Sequence, residues 1–179
     1  RMWDDKAEES RGYGKKLDSF IGEILTGDET SRELWALDND READARLDGI
    51  CRSFEDFMHD MLEKEYMEFV CREKDVYLPL DGVTVKGRLD VLFRNTRTGR
   101  WIVIDWKSSD HIDKVPGRFT GRLLGPASQL YDLDNVRYTI QTHFYKMALL
   151  RSYLPEGTKP EDVATLVVDL GGHAYDGGV

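Results

Sequence analysis

The sequence between residues 87 and 109 constrains the fold most, because it contains two apolar segments of strand length separated by a short polar loop. The apolar segments are Leu89–Phe93 and Trp101–Ile104. The loop between them, residues 95–99, combines Asn and Thr with a final Gly, which is typical of a β-hairpin turn. This part of the sequence therefore predicts two neighbouring antiparallel strands.

Each predicted strand contributes one carboxylate. Asp90 lies in the first strand and Asp105 directly follows the second, so pairing of the strands brings both acids to one end of the sheet. Lys107 lies two residues beyond Asp105, and alternate residues of an extended strand point to the same face. We therefore expect two acids and one amine to converge beside a buried sheet.

This group of charges has two interpretations. Mg²⁺ prefers oxygen ligands and commonly uses only one or two carboxylates, so Asp90, Asp105 and the backbone carbonyl of Trp106 could hold one ion. Such an ion polarises a phosphoryl oxygen and lowers the pKa of water, and Lys107 could orient that water or stabilise developing negative charge. The alternative is a salt bridge among the three charged side chains, and their spacing does not choose between the two.

A second polar group lies on a predicted helix, residues 138–153. Gln141 and Tyr145 are four positions apart and therefore share a helix face. An amide and a phenol on one face can bond phosphate oxygens or a water. The alternative is an ordinary amphipathic helix. Its predicted apolar face consists of Ile140, Phe144, Met147 and Ala148.

The net charge of −9 is distributed unevenly along the chain. Residues 1–75 contain 12 basic and 22 acidic side chains, whereas residues 86–122 contain 9 basic and 4 acidic ones. The local field matters more than the total for attracting phosphates. A basic segment around two acids suits a metal site that receives a polyanion, although a solvated hairpin surface explains the charge equally well.

Helical patterns dominate the first part of the chain. Apolar residues recur at helical spacing over residues 17–25, and a second apolar face extends over residues 54–70, with Ser53 as its expected N-cap. Strand-like alternation begins at Val76.

The later part of the chain mixes a loop, a helix and a strand. Residues 108–136 lack periodicity and predict a long functional loop, and residues 163–170 predict a last, buried strand. This order of elements predicts an α/β fold with a mixed central β-sheet flanked by helices and with a helical N-terminal part.

We interpret residues 1–179 as a single domain. Its parts are a helical N-terminal part (1–75), a catalytic α/β core (76–170) and a tail (171–179). The chain begins with Arg rather than Met, so we expect a domain excised from a larger protein.

Several classes of protein do not fit the sequence. No apolar run approaches the roughly 18 residues that cross a bilayer, and no signal-peptide pattern begins the chain, so we expect an intracellular protein without membrane contacts. Cys51 and Cys71 lack the spacing of a zinc site or disulfide framework and predict two reduced, partly buried thiols.

Three motifs, in order, resemble those of the PD-(D/E)xK nuclease superfamily, in particular its RecB-like and lambda-exonuclease-like branch. The superfamily patterns are G-x-x-D, D/E-x-K and Q-x-x-x-Y. Here they read Gly87-Arg-Leu-Asp90, Asp105-Trp-Lys107 and Gln141-x-x-x-Tyr145. The resemblance covers roughly residues 70–170 and implies a restriction-endonuclease-like core.

The resemblance also implies catalytic roles. Asp90 and Asp105 would be metal ligands, and Lys107 would position the nucleophilic water. Gln141 and Tyr145 would support the DNA backbone or the site. The cofactor would be Mg²⁺ or Mn²⁺, and hydrolysis would proceed without a covalent intermediate.

Two features of the branch are altered or missing. Its first helix usually carries G-x-x-x-H or G-x-x-x-E, and the best match here ends at Asp18, which could replace the usual metal ligand or be a surface acid. Glu23 and Glu73 are weaker candidates. Some members carry an iron–sulfur cluster on four cysteines, which two cysteines cannot supply, so we expect no such cluster.

The expected function is a metal-dependent exonuclease that acts on the ends of single- or double-stranded DNA in replication, recombination or repair. Fused or partner helicase or polymerase domains are expected as well. The alternatives are an endonuclease on DNA or RNA and a catalytically silent nucleic-acid-binding or interaction module. The residues expected to contact nucleic acid are Arg88, Ser108, Lys114, Arg118, Arg122, Arg137 and Lys146.

Overall fold

The computed structural model describes residues 15, 17–27, 45–64, 66–107, 115–118 and 120–170. The chain divides into two compact units. The first consists of Arg1–Lys64 with Leu170–Val179, and the second of Glu65–Asp169. The interpretation of the chain as a single domain stays a prediction.

The described part of the first unit is helical. Helix α1 covers residues 17–26, helix α2 is Ala45–His59, and a π-helical turn, Asp60–Lys64, follows α2. The rings of Phe20 and Phe54 meet edge to face, with their centroids 5.7 Å apart. The two helices therefore pack through the apolar faces that their spacing predicts.

Helix α2 begins and ends earlier than the sequence predicts. Ser53 is an interior residue, and its hydroxyl donates a hydrogen bond to the carbonyl of Gly49, so it does not cap the helix. The predicted continuation through residue 70 is also wrong, because a strand starts at Met67. Tyr66 has a φ of +56°, which is incompatible with a right-handed helix.

The second unit is built on one four-stranded sheet. Its strands are β1 (Met67–Leu80), β2 (Val83–Asn95), β3 (Trp101–Lys107) and β4 (Val163–Asp169), in the order β1-β2-β3-β4. Strand β2 is antiparallel to both β1 and β3, whereas β3 and β4 are parallel. The predicted α/β fold with a mixed sheet is confirmed.

Strand β1 starts nine residues before Val76, so the predicted helical part, residues 1–75, is too long. Charged side chains are frequent between residues 68 and 75, and they hide the alternation from a single-sequence reading. The strand forms because it pairs with β2 over nearly its whole length, with Val76 opposite Gly87. The hairpin closes at Asp81 and Gly82, whose φ angles are +42° and +84°.

The hairpin between β2 and β3 matches the prediction. The Asn95 side-chain oxygen accepts hydrogen bonds from the backbone N–H groups of Arg97 and Thr98, at 3.0 and 2.8 Å. Gly99 adopts a φ of +73°, which suits a residue without a β-carbon. Val91 pairs with Ile104, and this register determines which residues meet beyond it.

Helix α3 (Asp134–Ser152) lies in the connection from β3 to β4 and begins four residues earlier than predicted. Its predicted apolar face is partly wrong, because Ile140 and Met147 are 44% and 43% exposed. The buried residues of α3 are Thr142, Tyr145, Ala148 and Leu149. The last three join residues of β1, β2 and β3 in one core, so the face with Tyr145 covers the sheet.

The remaining described segments are short. A 3₁₀ turn, Gly125–Ala127, lies in the predicted loop, and another, Pro160–Asp162, precedes β4. Of the residues in β4, Val163 is fully buried and the others are partly or largely exposed, so the strand is less buried than predicted. Within the described ranges, no helix is long and apolar enough to cross a membrane.

Candidate active site

Asp90 and Asp105 meet at the end of the β2–β3 pairing. Val91 and Ile104 form the last paired position, and the next residues outward are the two acids. Asp90 Oδ2 accepts a hydrogen bond of 2.9 Å from the backbone N–H of Trp106. This bond orients the Asp90 carboxylate toward the chain segment that carries Asp105.

Asp105 is a charged side chain in a buried position. The residue is 0% exposed, and its Oδ1 has no donor among the residues that the structure describes. The Lys107 ammonium contacts the other oxygen, with 2.6 Å between Nζ and Oδ2. Burying a carboxylate of which one oxygen lacks a donor is costly, so a further cation would stabilise Asp105.

The pKa values of both acids reflect this crowding. Burial, followed by the neighbouring charge of Asp105, raises the pKa of Asp90 to about 7, although the Lys107 ammonium and the Trp106 N–H oppose the shift. Burial likewise raises the pKa of Asp105, against the attraction of Lys107. The amine alone therefore does not compensate two adjacent carboxylates, and the site favours binding of a proton or a further cation.

The donors present fit a hard divalent cation. Two carboxylates are the number that Mg²⁺ commonly takes from a protein, with waters completing its coordination, and the Trp106 carbonyl is a third oxygen nearby in sequence. In the described ranges, no group of three or more His, Cys, Asp or Glu side chains could hold a metal ion. The fit therefore rests on the carboxylates of Asp90 and Asp105 and on the Asp105 Oδ1, which has no donor among the described residues.

A glycine brings α3 close to these acids. A β-carbon at Gly87 would lie 2.5 Å from Phe144 Cε1 and 2.8 Å from Tyr145 Cε1, distances that atoms do not adopt. The two rings of α3 therefore lie closer to β2 than a side chain at position 87 allows unless they shift. Since Gly87 is three residues before Asp90, this contact holds Tyr145 near the carboxylates.

Gln141 and Tyr145 form a bonded pair on α3. The Gln141 amide donates a hydrogen bond to the Tyr145 hydroxyl, so the face predicted from their spacing exists. Burial raises the pKa of Tyr145, and the charges of Asp105 and Asp90 raise it further. The phenol is thus within electrostatic reach of both acids.

Sequence reasoning missed Tyr138. Its ring lies over the Lys107 ammonium, with 4.8 Å between Nζ and the ring centroid. Tyr138 precedes Gln141 by three residues and Tyr145 by seven, which places all three on one helix face. That spacing was the available signal, but nothing local indicated that the ring contacts a lysine on a strand.

Glu73 is the weaker candidate that lies near the acids. Its neighbours Arg72 and Lys74 pair with Val91 and Leu89, so Glu73 lies opposite Asp90, and its charge also raises the pKa of Asp90. Its φ is +48°, which is uncommon for a residue with a side chain. A role for Glu73 in metal binding stays a prediction.

The other metal candidates lie in the first unit. Asp18 is an exposed residue of α1, and Glu23 is a half-buried one. Both residues belong to the first unit, and their predicted roles as metal ligands stay predictions.

Three of the basic residues predicted to contact phosphate already contact other groups of the protein. Arg88 Nε lies 2.9 Å from Asp75 Oδ1, and Arg137 Nε lies 2.6 Å from Asp132 Oδ1. Arg122 donates to the Gln129 carbonyl and lies over the Tyr131 ring. A phosphate would have to compete with these partners.

The other four predicted nucleic-acid contacts are less defined. Arg118 is exposed, and Lys146 is half-buried on α3. Ser108 and Lys114 lie outside the described residues. Contact with nucleic acid stays a prediction for all seven.

Comparison with known families agrees with this geometry. The family model of the PD-(D/E)XK nuclease superfamily matches residues 15–174. The chain belongs to this superfamily. Members of the superfamily generally hydrolyse phosphodiester bonds as nucleases. The mixed sheet with its helices is consistent with the α/β, restriction-endonuclease-like core of this superfamily. No curated protein matches the sequence significantly.

Proposed function

We propose that this chain is a Mg²⁺- or Mn²⁺-dependent deoxyribonuclease, and that it acts as an exonuclease on DNA ends. The observation that carries the proposal is the buried Asp105 beside Asp90. Its Oδ2 contacts the Lys107 ammonium, and its Oδ1 has no donor within the described residues. A nuclease superfamily implies a nucleic-acid substrate, and a divalent cation would satisfy the carboxylates and attract a phosphate.

The residues that would hold the cation are Asp90 and Asp105, with the Trp106 carbonyl. When bound, a divalent cation supplies charge that polarises the scissile phosphate and makes water more acidic. The hydrogen bond from the Trp106 N–H keeps the Asp90 carboxylate oriented. Asp105 lies on a strand buried on both sides, so its position is rigid.

Lys107 and the α3 pair have roles of their own. The Lys107 ammonium can orient the attacking water by a hydrogen bond, or stabilise negative charge that develops on a phosphoryl oxygen. The Gln141 amide and the Tyr145 hydroxyl are bonded to each other, and both can bond phosphate oxygens of the DNA backbone. Holding the phosphate and the water in fixed geometry supplies much of the rate enhancement in such reactions.

The exonuclease proposal rests on the third motif. We assign the chain to the RecB-like and lambda-exonuclease-like branch because Gln141 and Tyr145 match its Q-x-x-x-Y pattern. That branch is rich in enzymes acting on DNA ends. Replication, recombination or repair, with fused or partner helicase or polymerase domains, is the proposed context.

The test compares end-labelled linear DNA, closed circular DNA and an RNA of the same sequence, each with Mn²⁺. We expect the linear DNA to be degraded and the circle and the RNA to resist. Cutting of the circle would instead identify an endonuclease, and cutting of the RNA alone would identify a ribonuclease.

Variants connect the activity to the site. Asp105→Asn and Lys107→Ala should each abolish cleavage. Asp81→Asn is the matched control, because Asp81 is an exposed carboxylate at the β1–β2 turn and asparagine tolerates its positive φ. If the wild-type chain cleaves none of the substrates, the proposal fails and a silent binding module remains.

A further inference from the structure

Lys107 is held between a carboxylate and an aromatic ring. Its ammonium lies 2.6 Å from Asp105 Oδ2 and 4.8 Å from the centroid of the Tyr138 ring, and 19% of its side chain is exposed. A free lysine side chain adopts many conformations, because its four-carbon stem is flexible. These two contacts therefore restrict where the amine lies.

The two contacts respond differently to a bound cation. In the proposed function, Asp105 is one of the carboxylates that hold the ion, so its oxygens are then shared between the ion and the Lys107 ammonium. The face of the Tyr138 ring attracts the ammonium through its quadrupole and has no part in metal binding. If a bound cation weakens the contact with Asp105, the contact with the ring would therefore persist.

We propose that Tyr138 is the positioning residue for Lys107 in the cation-loaded site, and that the face of its ring rather than its hydroxyl does this. The inference rests on the proposed function, in which Lys107 orients water or stabilises charge. It goes further by assigning the placement of the amine to a residue outside the three motifs.

The packing of α3 explains why one residue can have this role. Tyr138, Gln141 and Tyr145 share a helix face, and the contacts of Phe144 and Tyr145 with Gly87 set the distance between the helix and β2. A single docking of α3 therefore places the ring over Lys107 and the amide–phenol pair near the acids.

Two variants separate the ring from the hydroxyl. Tyr138→Phe keeps the ring and should retain kcat within about twofold of wild type, whereas Tyr138→Leu keeps apolar volume without a π face and should lower kcat about tenfold. KM should stay within about twofold for both variants, because the amine acts in the reaction step. An unchanged kcat in Tyr138→Leu, or an equal loss in both variants, would overturn the inference.

A matched control comes from the other end of α3. Lys74 lies over the Tyr153 ring with 4.6 Å between Nζ and the centroid. This is also a contact between a lysine ammonium and a tyrosine ring. Tyr153→Leu should leave kcat unchanged. If it lowers kcat as much as Tyr138→Leu does, the effect is a general loss of packing and the inference fails.

A spectroscopic measurement tests the contact without using activity. Protons held over the face of an aromatic ring resonate upfield, so the ε-methylene protons of Lys107 should shift upfield in the wild type and in Tyr138→Phe but not in Tyr138→Leu. The upfield shift should persist at saturating Mg²⁺. If the upfield shift disappears when Mg²⁺ binds, the inference is overturned. The proposed function still stands in that case, provided that the protein binds metal and cleaves DNA. Absence of both cleavage and any Mg²⁺-dependent change in the spectrum would instead overturn the proposed function.

Discussion

Gly87 lies so close to Tyr145 that a β-carbon at position 87 would be 2.8 Å from Cε1 of the phenol ring, and still closer to Phe144. The first glycine of the G-x-x-D motif is therefore a packing requirement of the helix-to-sheet contact. The same contact holds the phenol in electrostatic reach of Asp90 and Asp105. Stability and activity should consequently depend on this glycine together.

Gly87→Ala should lower the free energy of unfolding by about 1–3 kcal/mol, the usual cost of adding a methyl group to a filled space. Cleavage should decrease as well, because the Phe144 and Tyr145 rings must shift away from position 87. Gly121→Ala is the control, since nothing lies within 4 Å of a β-carbon there. Urea denaturation and a cleavage assay measure the two effects, and equal stability of both variants would contradict the packing argument.

The pKa of Asp90 predicts how stability depends on pH when no metal is bound. Because the pKa is about 7 in the folded chain and about 4 in an unfolded one, the stabilising contribution is fully present below pH 4. It is lost as the pH rises through 7. Between pH 5.5 and pH 8 the wild-type chain should lose about 2 kcal/mol from this group.

Asp90→Asn should remove this loss, because asparagine does not ionise and can still accept the hydrogen bond from the Trp106 N–H. Urea denaturation of both proteins in EDTA at pH 5.5 and pH 8 measures the difference. The variant should be the more stable protein at pH 8. If the wild type loses no more stability than the variant between pH 5.5 and pH 8, ionised Asp90 does not destabilise the folded chain.

Metal binding should show the opposite dependence on pH. A divalent cation must displace the proton that Asp90 carries below pH 7. As the pH increases toward 7, the Mg²⁺ affinity should therefore rise about tenfold per pH unit, and above pH 7 it should level off. Isothermal titration calorimetry at several pH values measures this slope. Asp81→Asn should keep the slope, and an affinity independent of pH would exclude Asp90 as a ligand.

The sequence predicted the convergence of charges in the candidate site because the information there is local. Asp90, Asp105 and Lys107 lie on one hairpin, whose turn at Asn95 and Gly99 is encoded by short-range hydrogen bonds and a positive φ. Strand alternation and pairing then bring the charges together. The mixed sheet follows from the same patterns and from the helix that connects β3 with β4.

The features that the sequence did not predict depend on tertiary contacts or on unusual backbone conformations. The β1 strand starts at Met67 because it pairs with β2, and Tyr66 ends the preceding helical segment with a positive φ. The contact between Tyr138 and Lys107 joins α3 to β3 across more than 30 residues, so no local pattern indicates it. The raised pKa of Asp90 likewise results from burial in the folded unit.

Tyr145→Phe tests the amide–phenol pair without disturbing the helix contact. The change removes the oxygen to which Gln141 donates and keeps the ring that packs against Gly87. The free energy of unfolding should change by no more than about 1 kcal/mol, because water can reach the half-buried amide. If the phenol bonds a phosphate oxygen, kcat should fall about tenfold or more.

Single and double variants then show whether the pair acts as a unit. Tyr145→Phe and Gln141→Ala should each lower kcat, and the double variant should lose little more than either single one, since residues that act together are not additive. Tyr153→Phe is the control, because its hydroxyl contacts Cys71 Sγ instead, at 3.9 Å. Additive losses would mean that Gln141 and Tyr145 contact the substrate independently, and unchanged kcat in both single variants would remove the pair from the site.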